Sequence, residues 1–205
     1  MLDDRIGEIT DREVEIVAVT KTHPSEVLEA VVEAGARIIG ENYAQEVREK
    51  AEAIKRVRQG GAEVHFIGQL QTNKVRMIAE HIDVVQSVDR EQLIFELGRR
   101  APGMRIYIQV DTAGGDGRGG CRPDQVGDLI DIARTAGLVV EGLMTLGPAE
   151  ETGERTALAF STLRQLAEQF ELPVRSMGMS ADHLLAVREG STMVRIGSML
   201  LGERS

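Results

Sequence analysis

Tryptophan is absent from the 205 residues, and aromatic side chains make up only 3% of them. Aliphatic side chains must therefore build the core, which favours a Val/Ile/Leu-rich α/β interior. A single cysteine, Cys121, excludes an intrachain disulfide framework and is read as a small, semi-buried apolar residue. There is no signal-peptide h-region and no apolar segment long enough to span a bilayer, so a cytoplasmic location is expected. No basic block offsets the formal net charge of −9. That balance argues against general binding to nucleic acid or anionic membranes, and any anionic ligand must be held by local geometry. With 42% hydrophobic and 28% charged residues, the composition is otherwise that of an ordinary globular chain. The length suits one domain, residues 1–205, since an α/β barrel runs to roughly 200–250 residues.

Short apolar runs alternate with amphipathic segments of helical length, the pattern of βα units around a parallel sheet. Strands are expected over 15–20, 36–40, 64–67, 84–87, 105–111, 139–146, 174–177 and 193–196. Between them, Val27, Leu28, Val31 and Val32 share one stripe of a helix over 25–34, and a second helix is expected over 44–58. Asp89, with Gln92 three residues on, reads as the N-cap of a helix over 90–100. Gly35, Gly98, Gly137 and Gly190 fall at or near helix ends. Eight such units favour a compact (β/α)8 TIM barrel, although periodicity also allows an open doubly wound sheet. The glycine-dense stretch "TAGGDGRGG", Thr112 to Gly120, would follow the fifth strand on the face where barrel enzymes place their working groups.

Three features point to chemistry. The loops after strands seven and eight carry Gly178-Met179-Ser180 and Gly197-Ser198, a common arrangement for phosphate in barrels; equally, Ser180 can cap the helix that begins near Asp182. Arg195 sits inside the apolar run "MVRIG", where a guanidinium needs an acceptor, either a structural carboxylate or a ligand atom. Lys21 ends the run "VAVTKTHP". Alone it reads as a snorkelling lysine, but closure of a barrel brings it to the mouth shared by Arg195, Gly197 and Ser180. A lysine amine, a phosphate cradle and an arginine together suggest a phosphorylated aldehyde bound as a Schiff base, with pyridoxal phosphate the obvious candidate. A phosphosugar site without a Schiff base is the other reading of the cradle.

The stretches "VAVTKTHP", "GARIIGENYAQE", "VHFIGQLQTNK", "VVQSVDR", "EGLMTLGP" and "SMGMSADHLLAVREGSTMVRIGSMLLGER" resemble the pyridoxal phosphate homeostasis protein family, related to the N-terminal barrel of alanine racemase, the fold-type III group. The resemblance implies that Lys21 is the Schiff-base lysine and that Ser180, Gly197 and Ser198 bind phosphate. It also implies that Arg195 faces the pyridine nitrogen and that Asn42 lies near the cofactor. His65 and Met144 end strands lining the same mouth; for His65 a satisfied core histidine is the equal alternative. Asn73 in "QTNK" is either part of a functional rim loop or a helix cap. The sequence departs from the family in its short stretch before strand one, in the shortened segment after Thr145 and in the glycine-dense loop.

An arginine beside the pyridine nitrogen disfavours protonation there and weakens the cofactor's electron sink. Racemisation needs a second acid/base, and neither Tyr43 nor Tyr107 is an evident one. The expected function is thus a non-enzymatic carrier that holds pyridoxal 5′-phosphate and takes part in its intracellular supply. No catalytic residue and no metal ligand is assigned. Apo forms of cofactor-dependent enzymes are the expected partners, and the family implies a monomer. The alternative is a fold-type III amino-acid racemase or lyase using Tyr43 or His65 as base.

Overall fold

The computed structural model describes residues 6–114, 117–148 and 153–202. Eight parallel strands close into a barrel in sequence order: β1 (Glu15–Val19), β2 (Ile38–Glu41), β3 (Glu63–Phe66), β4 (Val84–Val88), β5 (Arg105–Gln109), β6 (Val139–Met144), β7 (Val174–Met179) and β8 (Met193–Ile196). The ring is completed by β1 against β8, where Val17 is opposite Arg195 and Ala18 opposite Ile196. The open doubly wound alternative is thereby excluded.

Alternation along the strands divides the interior in two. Outward-facing Ile39, Val64, Phe66, Val85, Ile106 and Ile108 are buried against the surrounding helices. The helix Ala51–Gln59 meets them with Ala53, Ile54 and Val57, one stripe at helical spacing. Inside the barrel, Val17, Ile38, Val84, Tyr107, Met144 and Met193 form a separate apolar layer. Ile6 covers the outer face of β8, packing with Val187, Val194 and Ile196. No helix among the described residues is long and apolar enough to cross a membrane.

Several sequence expectations change in detail. β5 ends at Gln109, and its continuation survives as one bridge between Val110 and Cys121. β7 extends to Met179 through a register shift between Ser176 and Met179. The helix expected over 44–58 is two, Ala44–Glu49 and Ala51–Gln59, jointed at Lys50, whose side chain is drawn inward. Asp89 does not cap: the helix is Glu91–Arg100 with Arg90 at its N-cap, and the Asp89 carboxylate instead accepts from Arg90 and from the Gly120 amide. Gly98 lies inside that helix, where a Cβ would strike the backbone of Ala136 on the next one. Asn73 lies within a short 3₁₀ turn, Thr72–Lys74, and caps nothing.

Candidate functional site

At the C-terminal mouth of the barrel is a cavity of about 490 Å³, within the range of small-molecule sites. Lys21, Asn42, Ser180, Arg195, Gly197 and Ser198 all line it. His65 and Met144 do not. They lie one layer below, buried inside the barrel, with both His65 ring nitrogens engaged by protein groups. Of the two alternatives for His65, the structure favours the satisfied core histidine.

Lys21 lies two residues beyond the end of β1, and an ionic cluster on the outer side of the barrel fixes the backbone on both sides of it. Lys50 donates to the carbonyl oxygen of Thr20 at 3.0 Å, to Glu41 Oε1 at 2.8 Å and to Glu46 Oε2 at 3.1 Å. The Thr20 hydroxyl donates to Glu41 Oε1 at 2.6 Å. Burial pushes the Glu41 carboxyl upward, while its bonds to Lys50 and Thr20 pull it down. On the far side of Lys21, Thr22 takes the left-handed conformation, φ +66°, and its amide donates to Glu46 Oε2 at 2.8 Å. That conformation is costly for a β-branched residue and persists only where neighbours impose it.

Arg195 is almost fully buried, 4% exposed, yet no carboxylate among the described residues pairs with it. Its acceptors are neutral. Nη1 donates to the Ser176 carbonyl at 2.9 Å and to the Ser176 hydroxyl at 2.7 Å, and Nη2 to the Thr145 carbonyl at 2.8 Å. Burial lowers the guanidinium to about 10, only partly countered by the more distant Asp182. Three of the five guanidinium N–H groups are thus spent on framing the side chain.

The turns after β7 and β8 form one side of the cavity. Ser180 makes no capping bond to the helix His183–Arg188, whose N-cap is Asp182. The Asp182 carboxylate accepts instead from the Met179 amide at 2.6 Å and so holds the turn. Gly178 is required beneath it: φ is +99°, and a Cβ would come within 2.6 Å of Ala186 Cβ. The short helix Ser198–Leu201 opens with the Ser198 and Met199 amides, which have no intrahelical acceptor at that position. Asn42 is locked by the close approach of Gly68, where a Cβ would overlap the Asn42 carbonyl.

The cavity also takes in His23, Gln69, Gln109 and Arg118, which the sequence does not single out, and Met179 at the end of β7. His23 stands two residues after Lys21 in the same motif, a signal that was available. Arg118 belongs to the glycine-dense loop, of which residues 115 and 116 lie outside the described residues. Arg118 donates to the Gly147 carbonyl, and Gln109 donates to the Arg118 carbonyl at 3.1 Å, which lays the loop against the mouth. Cys121 beside it is buried, and burial pushes its thiol up to about 12, the behaviour of an inert apolar residue.

The alanine racemase N-terminal domain model matches residues 4–205. A pyridoxal phosphate homeostasis protein of Vibrio cholerae is 37% identical over 202 residues, covering 93% of this chain and 86% of that protein. Among solved structures, an unknown protein from Bifidobacterium adolescentis superposes with a TM-score of 0.87 at 32% identity, covering 98% of this chain and 91% of that one. PipY of Synechococcus elongatus, in a structure with PLP bound, gives a TM-score of 0.80 at 29% identity, covering 98% of this chain and all of that one. The chain belongs to the alanine racemase N-terminal domain family and, within it, to the pyridoxal phosphate homeostasis proteins.

Proposed function

We propose that the chain binds pyridoxal 5′-phosphate in this cavity, holds it on Lys21 as a Schiff base, and serves as a non-catalytic carrier in intracellular vitamin B6 homeostasis. The observation that carries the proposal is Arg195, buried with neutral acceptors only and lining one cavity with Lys21. A guanidinium without a carboxylate partner has N–H groups left to give a ligand acceptor such as a pyridine nitrogen. The PLP-bound structure of PipY supports the identity of that ligand.

The lining fits the group. The Ser180 and Ser198 hydroxyls, with the amides that open the Ser198–Leu201 turn, suit a phosphate, and Asn42 lines the same cavity. When bound, the cofactor supplies an aldehyde. The Lys21 amine would condense with it, one C=N bond forming as the C=O bond breaks and one water leaves.

The carrier role draws on two features. An arginine opposite the pyridine nitrogen gives a hydrogen bond but opposes protonation, so the ring is a poor electron sink. Tyr43 is exposed and Tyr107 is buried in the inner barrel layer, and neither lines the cavity. Among the described residues, His23 is the imidazole that lines the cavity and is the base a racemase or lyase could use beside Lys21. Turnover of D- or L-amino acids that is lost in His23→Ala and Lys21→Ala would favour that rival. The carrier is taken to be monomeric, with apo cofactor-dependent enzymes as its recipients.

Purified protein incubated with pyridoxal phosphate should show violet-region absorbance that Lys21→Ala abolishes. An unchanged spectrum in the variant contradicts the attachment.

A further inference from the structure

Below the cavity a continuous file of polar side chains runs down the barrel axis. Arg195 Nη1 donates to Ser176 Oγ at 2.7 Å, and the Ser176 hydroxyl donates to Gln86 Oε1 at 2.7 Å. Gln86 Nε2 lies 2.7 Å from His65 Nδ1, and His65 Nε2 lies 3.1 Å from Glu63 Oε2. His65, Gln86 and Ser176 are each at most 1% exposed, whereas the Glu63 carboxylate reaches the N-terminal mouth, 40% exposed.

The direction of this chain is fixed at both ends. A guanidinium can only donate and a carboxylate only accepts. With a neutral imidazole, the one arrangement that satisfies every link has Ser176 O–H pointing to Gln86, the Gln86 amide N–H pointing to His65 Nδ1, and His65 protonated on Nε2 toward Glu63. Turning the Gln86 amide over would give Ser176 two donors, and would require a proton on both His65 nitrogens. It would also bring the amide oxygen to Met193 Sδ, which now lies 3.3 Å from Gln86 Nε2. The groups around His65 hold the arrangement in place. Arg105 pairs with Glu63 at 3.0 Å and faces Glu141 at 3.8 Å, the Tyr107 ring stands edge-on to the imidazole, and Glu15 adds its charge from β1.

Resting on the assignment of pyridoxal phosphate to the cavity, we propose that Ser176, Gln86 and His65 are positioning residues: a one-way hydrogen-bond relay that aims Arg195 at the ring nitrogen and couples that contact to the Glu63 mouth. The polarity has a chemical consequence. Each link below Arg195 points its hydrogen away from the cavity, and a carboxamide in mid-chain cannot hand a proton onward without becoming an imidic acid. The relay therefore orients the arginine while delivering no proton to the ring, which keeps the cofactor in its carrier state.

The test is ¹⁵N NMR of the His65 imidazole in the full chain, first without cofactor and then after loading, in wild type and in Ser176→Ala. Without cofactor, wild type should show the tautomer protonated on Nε2 with Nδ1 as acceptor. Loading should shift the His65 nitrogens, and Ser176→Ala, with folding verified by circular dichroism, should lose that shift. An Nδ1-protonated or doubly protonated imidazole in wild type at neutral pH overturns the relay, and it requires neither a variant nor the cofactor. A loading shift that persists in Ser176→Ala, or no shift in wild type whose violet absorbance proves occupancy, also overturns it. Absence of violet absorbance in wild type instead overturns the proposed function, and the tautomer alone then decides the direction of the chain.

Discussion

The ammonium of Lys50 donates to the carbonyl oxygen of Thr20 at 3.0 Å, one residue before Lys21. The backbone that leads from β1 into Lys21 is therefore held by a second lysine on the other side of the barrel wall. Lys50 also contacts Glu41 and Glu46, and Glu46 takes the Thr22 amide, so a single cluster grips the chain before and after Lys21.

Lys50→Met should be strongly destabilising, because it strands the fully buried Glu41 carboxylate without its cation. Removing one partner of a buried pair costs about 3–5 kcal/mol, far more than the net worth of the pair itself. Urea unfolding should show this loss, and Lys50→Met with Glu41→Leu should recover part of it. A single variant as stable as wild type would contradict the role of the cluster.

Ser180→Ala should weaken cofactor binding without unfolding the protein, since the hydroxyl lines the cavity and makes no capping bond to its helix. A hydrogen bond to a charged group contributes about 1.5–3 kcal/mol, which corresponds to roughly 10- to 100-fold in Kd. Titration of the violet band measures it. Equal affinity would remove Ser180 from the phosphate site.

The barrel was legible in the sequence because a closed parallel sheet is buried on both faces and each strand is a short apolar run. Lys21, Arg195 and the two glycine-serine turns were legible for a related reason: charged and hydroxyl residues stand out at the ends of such runs. Lys50 was not, because it sits in a charged helical stretch where a buried lysine looks like any solvated one. Nor was the relay, since Gln86 and Ser176 are 90 residues apart and meet only once the ring has closed. His65 lies on the expected strand but one layer below the mouth, in keeping with the core-histidine alternative, because a two-residue step along the inside of a barrel moves a side chain by a whole layer.

Acid should weaken the contribution of Glu63 to stability. The bond from His65, reinforced by Arg105, lowers the Glu63 carboxyl from 4.5 to about 2. A carboxyl depressed in the folded state contributes stability that is present above its unfolded value and is lost as pH falls through its folded value. The thermal midpoint of Glu63→Gln should therefore lie below that of wild type near neutral pH, and the gap should close between about pH 4.5 and about pH 2. A gap independent of pH would contradict the ionised Glu63 at the foot of the relay.

The most direct measurement is borohydride reduction of the protein loaded with pyridoxal phosphate, followed by proteolysis and mass spectrometry of the peptide containing Lys21. Attachment to Lys21 predicts one reduced phosphopyridoxyl adduct, carried on that residue and absent when reduction is omitted. An adduct confined to another lysine, or none at all on protein whose violet absorbance shows it to be loaded, would contradict it.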